Sequence, residues 1–314
     1  MTMFEKIRAY PLTWIVIVAL VLAVALTLAS PYFLTAGNIN NLLKQVSIVA
    51  ILAAGQAMVI ITGGIDLSVG SVLALSAVTI GWLIQADVDP LIATFAGLAM
   101  GTLCGFINGF IITRGRIAPF IVTLGMLGIA RGMALVITGG VSYQILEPFF
   151  MTIGNSKFLG LPIPIYFVIV TYLVVHIVMH YRVFGQHIYA IGGEERVARL
   201  QGIKVDREKL KVYTISGFLA ALAAVVMTGR LAATPPSVAQ GIELQAIAAV
   251  IIGGISFTGG RGLVLTALVG ALIMAMITNG LNILGISSFW QQVLIGVVII
   301  AAVWLDNLKS AARQ

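Results

Sequence analysis

Ten long apolar runs, separated by short polar gaps, dominate this chain. They cover about residues 12–31, 46–62, 67–85, 91–113, 118–139, 161–180, 212–230, 243–258, 263–281 and 289–306. A helix needs roughly 20 apolar residues to cross a bilayer. Water cannot accommodate so many exposed apolar helices, because large apolar patches drive association. With 60% hydrophobic and only 9% charged residues, against about 25% charged in soluble domains, the chain requires lipid as its solvent. The reading is an all-α fold: a polytopic membrane helix bundle of about ten transmembrane helices. The third and eighth runs, short or broken by glycine, leave eight or nine crossings open. The 34 glycines suit close helix packing in a membrane. The run at 12–28 follows a basic start, as in a signal peptide. It is long for one and lacks a small-residue cleavage site, so a retained helix is expected.

The charges set an orientation. With the N-terminus inside, the inner gaps hold Lys6, Arg8, Arg114, Arg116, Arg182, Arg196, Arg199, Lys204, Arg207, Lys209, Lys211, Arg261, Lys309 and Arg313. The outer gaps hold only Lys44, Lys157 and Arg230, while Arg131 falls within a span. Cytoplasmic loops carry the excess of Lys and Arg, so both termini are expected to be cytoplasmic. The net charge of +7 thus reflects membrane orientation rather than nucleic-acid binding. Residues 35–45 read as a short interfacial stretch outside, and 141–160 as an outer loop. Residues 181–211 form the largest inner gap, so the chain reads as one transmembrane domain, 1–314, with a cytoplasmic loop.

Several chemistries lack their signatures. There is no phosphate loop, no metalloprotease His/Glu spacing, and no Gly-x-Ser-x-Gly elbow. Cys104 is the only cysteine. His176 and His180 share a helix face, but two histidines without a third ligand are weak evidence for metal and read as interfacial side chains. No cofactor and no metal are expected on this chain.

Two stretches stand out. Gly63-Gly64-Ile65-Asp66-Leu67-Ser68-Val69-Gly70-Ser71 places a carboxylate and hydroxyls among glycines between apolar runs. A carboxylate at bilayer depth is costly unless paired or facing water. Asp66, assisted by Ser68, either caps the next helix or lines a gate or solute path; the two are compatible. Part of this stretch, Ile61-Thr62-Gly63-Gly64-Ile65 and Gly70, has a faint echo in Ile252-Gly253-Gly254-Ile255 and Gly260. In the inner loop, Gly192-Gly193 reads as a break. Glu194-Glu195-Arg196-Val197-Ala198-Arg199-Leu200-Gln201 then reads as a short helix ending at Gly202. Its acids come first and its arginines later, as the helix dipole favours. Val197, Ala198 and Leu200 are expected to be exposed and to fit a groove on another protein; a solvated connector is the plainer reading. Gln56, Asn108, Gln245, Asn279 and Asn282 either line a path for a polar solute or bond neighbouring helices. Glu243 stands at a span entrance.

Taken together, Gly64-Ile65-Asp66-Leu67-Ser68-Val69-Gly70-Ser71, Pro119-Phe120-Ile121-Val122-Thr123-Leu124-Gly125, Ile188-Tyr189-Ala190-Ile191-Gly192-Gly193 with Glu195 and Ala198-Arg199-Leu200, and Asn279-Gly280-Leu281-Asn282-Ile283-Leu284-Gly285 with Ser287-Ser288-Phe289 carry a resemblance. The chain resembles the permease subunits of bacterial ribose-type sugar ATP-binding-cassette importers, relatives of the branched-chain amino acid permeases. The resemblance runs over nearly the whole chain and says little about which sugar.

The resemblance implies a multi-pass inner-membrane permease of about ten helices that is not itself an enzyme. It pairs with a second copy or a paralogue, with a periplasmic sugar-binding protein, and with a separate cytoplasmic ATPase that binds ATP and Mg. The residues Glu194 to Gly202 are where docking onto that ATPase would be carried over. One departure is Gln245, where the family often has Asp in Glu-Leu-Asp-Ala-Ile-Ala-Ala. An ion-coupled secondary transporter is the alternative; it would need intramembrane acids facing the path, and only Asp66 and Glu243 are available.

Overall fold

A computed structural model describes residues 11–311, with side chains for 12–304; the cytoplasmic placement expected for Lys6, Arg8 and Arg313 lies outside the described residues. The helices are α1 (Pro11–Ala29), α2 (Ala36–Ile61), α3 (Val69–Gln85), α4 (Pro90–Arg114), α5 (Pro119–Thr138), α6 (Pro148–Asn155), α7 (Ile163–Tyr181), α8 (Val183–Gly193), α9 (Glu195–Leu200), α10 (Val205–Leu231), α11 (Ile242–Ile252), α12 (Val264–Ile283) and α13 (Ser288–Ala311). Two antiparallel two-stranded ribbons complete it: β1 (Tyr143–Gln144) with β4 (Ala233–Thr234), and β2 (Lys157–Phe158) with β3 (Leu161–Pro162).

Each of the ten apolar runs becomes a helix. Seven of these helices are long and apolar enough to cross a membrane, while Val69–Gln85, Ile242–Ile252 and the apolar part Ser288–Trp304 are shorter. Polytopic helical architecture therefore stands. Two boundaries differ from the sequence reading. Residues 36–45 are not a separate stretch but the first turns of α2, capped by Thr35, whose hydroxyl accepts from the Asn38 N–H. The charged residues 205–211 are not loop but the start of α10.

α2 and α10 lie at the centre. α10 packs on α4, α2, α3 and α6, while α2 also meets α7, α11 and α12. In lipid, helices associate through close van der Waals packing of small residues. On α4, Gly101, Gly105 and Gly109 recur every fourth residue, on one helix face, and rest against Gly217, Ala221 and the Leu210 backbone of α10. Any side chain there would force the two helices apart. The large apolar side chains left exposed cluster on α1, α4, α5, α7 and α13. On a chain this apolar, those faces meet acyl chains.

Candidate functional site

α2 ends in a turn that its glycines require. Gly63 has φ of 76°, a conformation that costs a residue with a Cβ roughly 1 kcal/mol or more. Gly63 N–H donates to Ile60 O and Gly64 N–H to Val59 O, the paired bonds of a helix-terminating Schellman motif. The echo adopts the same type of turn one residue later in its glycine pair: Gly254 has φ of 81°, with Gly254 N–H donating to Ile251 O and Ile255 N–H to Val250 O. The first turn meets the stretch that follows the second: Gly260 N–H donates to Ile61 O at 2.9 Å, and Gly259 lies on Gly63.

Beyond the turn the chain runs back along α2 before α3 begins. The Gln56 carboxamide faces the Asp66 backbone. In the amide orientation that satisfies both partners, its nitrogen donates to Asp66 O (3.1 Å) and its oxygen accepts from Asp66 N–H (3.3 Å). Gln56 lies more than a turn before the end of α2, so α3 starts inside the bundle. Irregular backbone at such depth is tolerated only where protein satisfies it.

Asp66 is buried, at 1% exposure. Its Oδ1 accepts from Ser68 N–H (2.9 Å) and Ser68 Oγ–H (2.6 Å). Its Oδ2 accepts from Ser216 Oγ–H of α10 (3.0 Å). Ser68 Oγ in turn accepts from Asn108 Nδ2 of α4 (2.9 Å), and Thr123 Oγ1 of α5 donates to Ile65 O (3.3 Å). Asp66 does not bond the first-turn N–H groups of α3: the N-cap is Ser68, and it makes no side-chain cap bond. The carboxylate instead ties the start of α3 to α10 and, through Ser68, to α4, while the Asp66 backbone holds Gln56 of α2. Tyr213 Oη and Asn108 Oδ1 remain buried beside it without partners.

The other polar candidates lie apart from this junction. Glu243 Oε1 accepts from Gly241 N–H (3.2 Å); its Oε2 is buried without a partner and lies against Gly70, leaving no room for a Cβ there. Arg131 Nη1 donates to Pro236 O (2.6 Å) and Val238 O (2.8 Å), in the segment leading to α11. Gln245 is half-buried. Asn279 and Asn38 exchange two amide bonds (2.8 and 3.0 Å) between α12 and α2. Asn282 Oδ1 accepts from Gln291 Nε2 of α13 (2.6 Å). Both asparagines join helices.

The 181–211 gap holds two short helices, α8 and α9, hinged at Glu194, which is extended (φ −159°, ψ 102°). α8 runs through Gly192-Gly193, so the break falls one residue later than the glycines suggested. α9 stops before Gly202, whose φ is 84°. Ala198 is not exposed, as expected from sequence, but buried at 1% in a small core with Ile191 and Val205. Val197 (46%) and Leu200 (80%) do face outward, with Glu194, Arg196, Gln201 and Gly202 around them.

Ion pairs fix α9 on α10. Arg199 donates to Glu195 Oε1 (2.9 Å) and Asp206 Oδ1 (2.5 Å), and Lys209 Nζ to Glu195 Oε2 (2.6 Å). Bonds to Asp206 and Glu195 raise the Arg199 guanidinium above its ordinary value. Partial burial pushes the Glu195 carboxyl up, but bonds from Lys209 and Arg199 outweigh it and hold the group below its usual range.

α8 is locked to the bundle through backbone. Gly192 lies directly on Ile61 O and Gly260 N, Gly259 lies over Gly63 and Gly192 O, and Gly260 over Gly193. Tyr189 Oη donates to Gly262 O (2.7 Å). Displacing α8 therefore displaces the foot of α2 and the α11–α12 connection. Sequence reasoning missed Ser216, Tyr189 and the Gly192–Ile61–Gly260 contact. The signal was there in part: two glycine pairs, at 63–64 and 192–193, plus a third at 259–260.

Residues 38–303 match the family model described as branched-chain amino acid transport system / permease component. The chain is similar to the ribose import permease protein RbsC of Bacillus subtilis (strain 168), 44% identical over 93% of this chain and 91% of that protein. It is also similar to the D-allose transport system permease protein AlsC of Escherichia coli (strain K12), 40% identical over 94% and 90%. The L-arabinose ABC transporter permease protein AraH of Azospirillum brasilense is 35% identical over 96% and 88%. No solved structure matches. A family match over most of the chain, on a bundle of apolar helices, makes this chain a multi-pass membrane protein and a member of the branched-chain amino acid transport system / permease component family.

Proposed function

We propose that this chain is the membrane-spanning permease subunit of an ATP-binding-cassette importer that carries a pentose, ribose first, into the cytoplasm. It crosses the inner membrane about ten times with both termini inside and works beside a second permease copy. A cytoplasmic ATPase binds ATP and Mg, and a periplasmic sugar-binding protein selects the solute. Relatives named for ribose, allose and arabinose support the sugar class.

The carrying observation is the α8–α9 unit. It presents Val197 and Leu200 to solvent on one side and seats Gly192 on the foot of α2 on the other. An apolar helix face in a groove is a standard protein–protein contact. Glu194, Arg196, Leu200 and Gly202 form the docking surface. Ala198 sits beneath it, and Glu195 and Arg199 brace it on α10. When the ATPase moves, the unit transmits the motion through backbone contacts, and the Gly63 turn moves together with the Gly259-Gly260 segment. Asp66, Ser68 and Asn108 keep the buried junction intact during that motion. Such a chain supplies a path and a lever, and needs no reacting group of its own.

The test is reconstitution in proteoliposomes with ribose, the ATPase and the binding protein. ATP-dependent ribose uptake that requires both partners is expected. Uptake driven by a proton gradient, without ATP or partners, refutes the proposal and favours an ion-coupled transporter.

A further inference from the structure

At the end of the bundle opposite α8–α9 the fold brings three cations, Lys44, Lys157 and Arg230, around one asparagine, Asn155. Lys44 of α2 is 8% exposed, unusually buried for lysine. Its Nζ donates to Asn155 Oδ1 at 2.9 Å. Asn155 Nδ2 donates to Gly229 O at 2.8 Å, and Gly154 lies directly on the Gly229 backbone, so α6 is pinned beside Arg230. Lys157 follows Asn155 by two residues. Asn155 thus joins Lys44 to the backbone beside Arg230. Among the described residues, none of the three makes an ion pair. A partly buried group of like charges without a counter-charge is costly and is suited to an anion.

The neighbouring hairpin says where that anion comes from. Lys157 opens the β2–β3 ribbon, whose tip is Leu159-Gly160. Leu159 has φ of 46° and Gly160 φ of 81°, as a two-residue primed turn requires; Asn, Asp or Gly normally stands at the first position. Leucine there is strained and 83% exposed, with Phe158 at 59% and Leu161 at 41%. Tyr166 Oη donates to Phe158 O (2.7 Å) and its ring meets Phe158 edge-on. A strained apolar tip beside a tyrosine and a row of cations has the make-up of a membrane interface, where aromatic rings sit at headgroup level. Neither a dissolved anion nor a soluble protein's carboxylate gives Leu159 a reason to be there.

We propose that Lys44, Arg230 and Lys157 hold the phosphate of an anionic phospholipid while the Phe158–Leu161 tip lies among its neighbours' acyl chains. The shared chemistry is a phosphate oxyanion, from a lipid headgroup or free in solution. The test uses the full-length permease in dodecyl maltoside micelles containing dioleoyl phosphatidylglycerol or dioleoyl phosphatidylcholine, with retained lipid read by native mass spectrometry. It does not depend on membrane orientation.

Wild type should retain phosphatidylglycerol roughly tenfold or more over phosphatidylcholine, on the scale of two to three cations at a lipid surface. Lys157→Gln with Arg230→Gln should erase the preference, and Lys157→Gln alone, at an exposed site, should reduce it. Leu159→Asn, which suits the turn, should lower retention of both lipids without lowering thermal stability. Equal retention by wild type, or an unchanged preference in the double variant, overturns the proposal. So does displacement of phosphatidylglycerol by inorganic phosphate but not by chloride at equal ionic strength, combined with no effect of Leu159→Asn; that result assigns a free-anion site. Loss of binding-protein docking in Lys157→Gln with lipid preference intact assigns the cluster to a protein carboxylate instead.

Discussion

Asp66 can be replaced in two ways that divide a structural junction from an ion-carrying acid. Asp66→Asn keeps both heteroatoms. Its oxygen can still accept from Ser68 N–H and Ser68 Oγ–H, and its NH2 can donate to Ser216 Oγ, which turns from donor to acceptor. Hydroxyls rotate freely to make that exchange, so the network survives at a cost of about 1 kcal/mol. Asp66→Ala removes all three bonds and strands the buried Ser68 N–H. Each unsatisfied buried donor costs about 1–3 kcal/mol. Because the bonds act as one network, the whole loss is roughly 3–5 kcal/mol rather than a simple sum. The assay pairs thermal unfolding in detergent with ATP-driven ribose uptake in proteoliposomes. Asp66→Asn should unfold within a few degrees of wild type and transport; Asp66→Ala should unfold well below both and lose uptake. A well-folded Asp66→Asn that fails to transport refutes the junction role and makes the ionisable proton essential. An Asp66→Ala protein as stable as wild type refutes the energetic argument itself.

Four further outcomes are open to test. Gly192→Val, whose Cβ would fall on Ile61 O and Gly260 N, should abolish ATP-driven uptake while the chain still inserts, whereas Gly193→Ala, with nothing near its Cβ, should transport normally. Leu200→Glu should leave the melting temperature unchanged and abolish co-purification with the ATPase; Arg199→Glu should do the latter too, but also loosen α9 in hydrogen exchange, since it sets a third acid against Glu195 and Asp206. Because the Glu195 carboxyl is held below its ordinary value, its contribution is fully present above the usual carboxylate range of about 4.3 and lost as pH falls through its lower folded value. Protection of residues 194–202 in hydrogen exchange should therefore be constant between about pH 5 and 8 and fall only below about 4. Asn38→Ala and Asn279→Ala should each destabilise, and the double variant should cost less than their sum by about 0.6 kcal/mol, with about 1.7 as an upper bound; strict additivity would deny the amide pair.

Much of the fold was legible because lipid imposes one rule on every span. Each apolar run is a helix, and the charges mark the gaps. The rule fails where polarity does not mean solvent. Asn38, Asn40, Asn41 and Lys44 look like surface, yet they open α2, where Asn38 bonds Asn279 and Lys44 bonds Asn155. Asp206 to Lys211 look like loop, yet they are helix outside the apolar band, carrying the acid that braces Arg199. The Asp66 stretch was conspicuous from its residues, but its partner Ser216 lies 150 positions away, where no local pattern points to it. Ala198 was misplaced for a similar reason: alanine fits either face of a short helix, and the burial was decided by Ile191 and Val205. The glycine pairs announced sharp turns without saying that the turns would meet.

The central claim is that α9 is the surface on which a cytoplasmic ATPase acts. The most direct measurement places a cysteine at Leu200→Cys, with Cys104 buried, and follows its labelling by a membrane-impermeant maleimide in inside-out vesicles. The account predicts fast labelling of the permease alone and protection once the ATPase is bound, with uptake lost after labelling. Equal labelling with and without the ATPase, or labelling only from right-side-out vesicles, would contradict it.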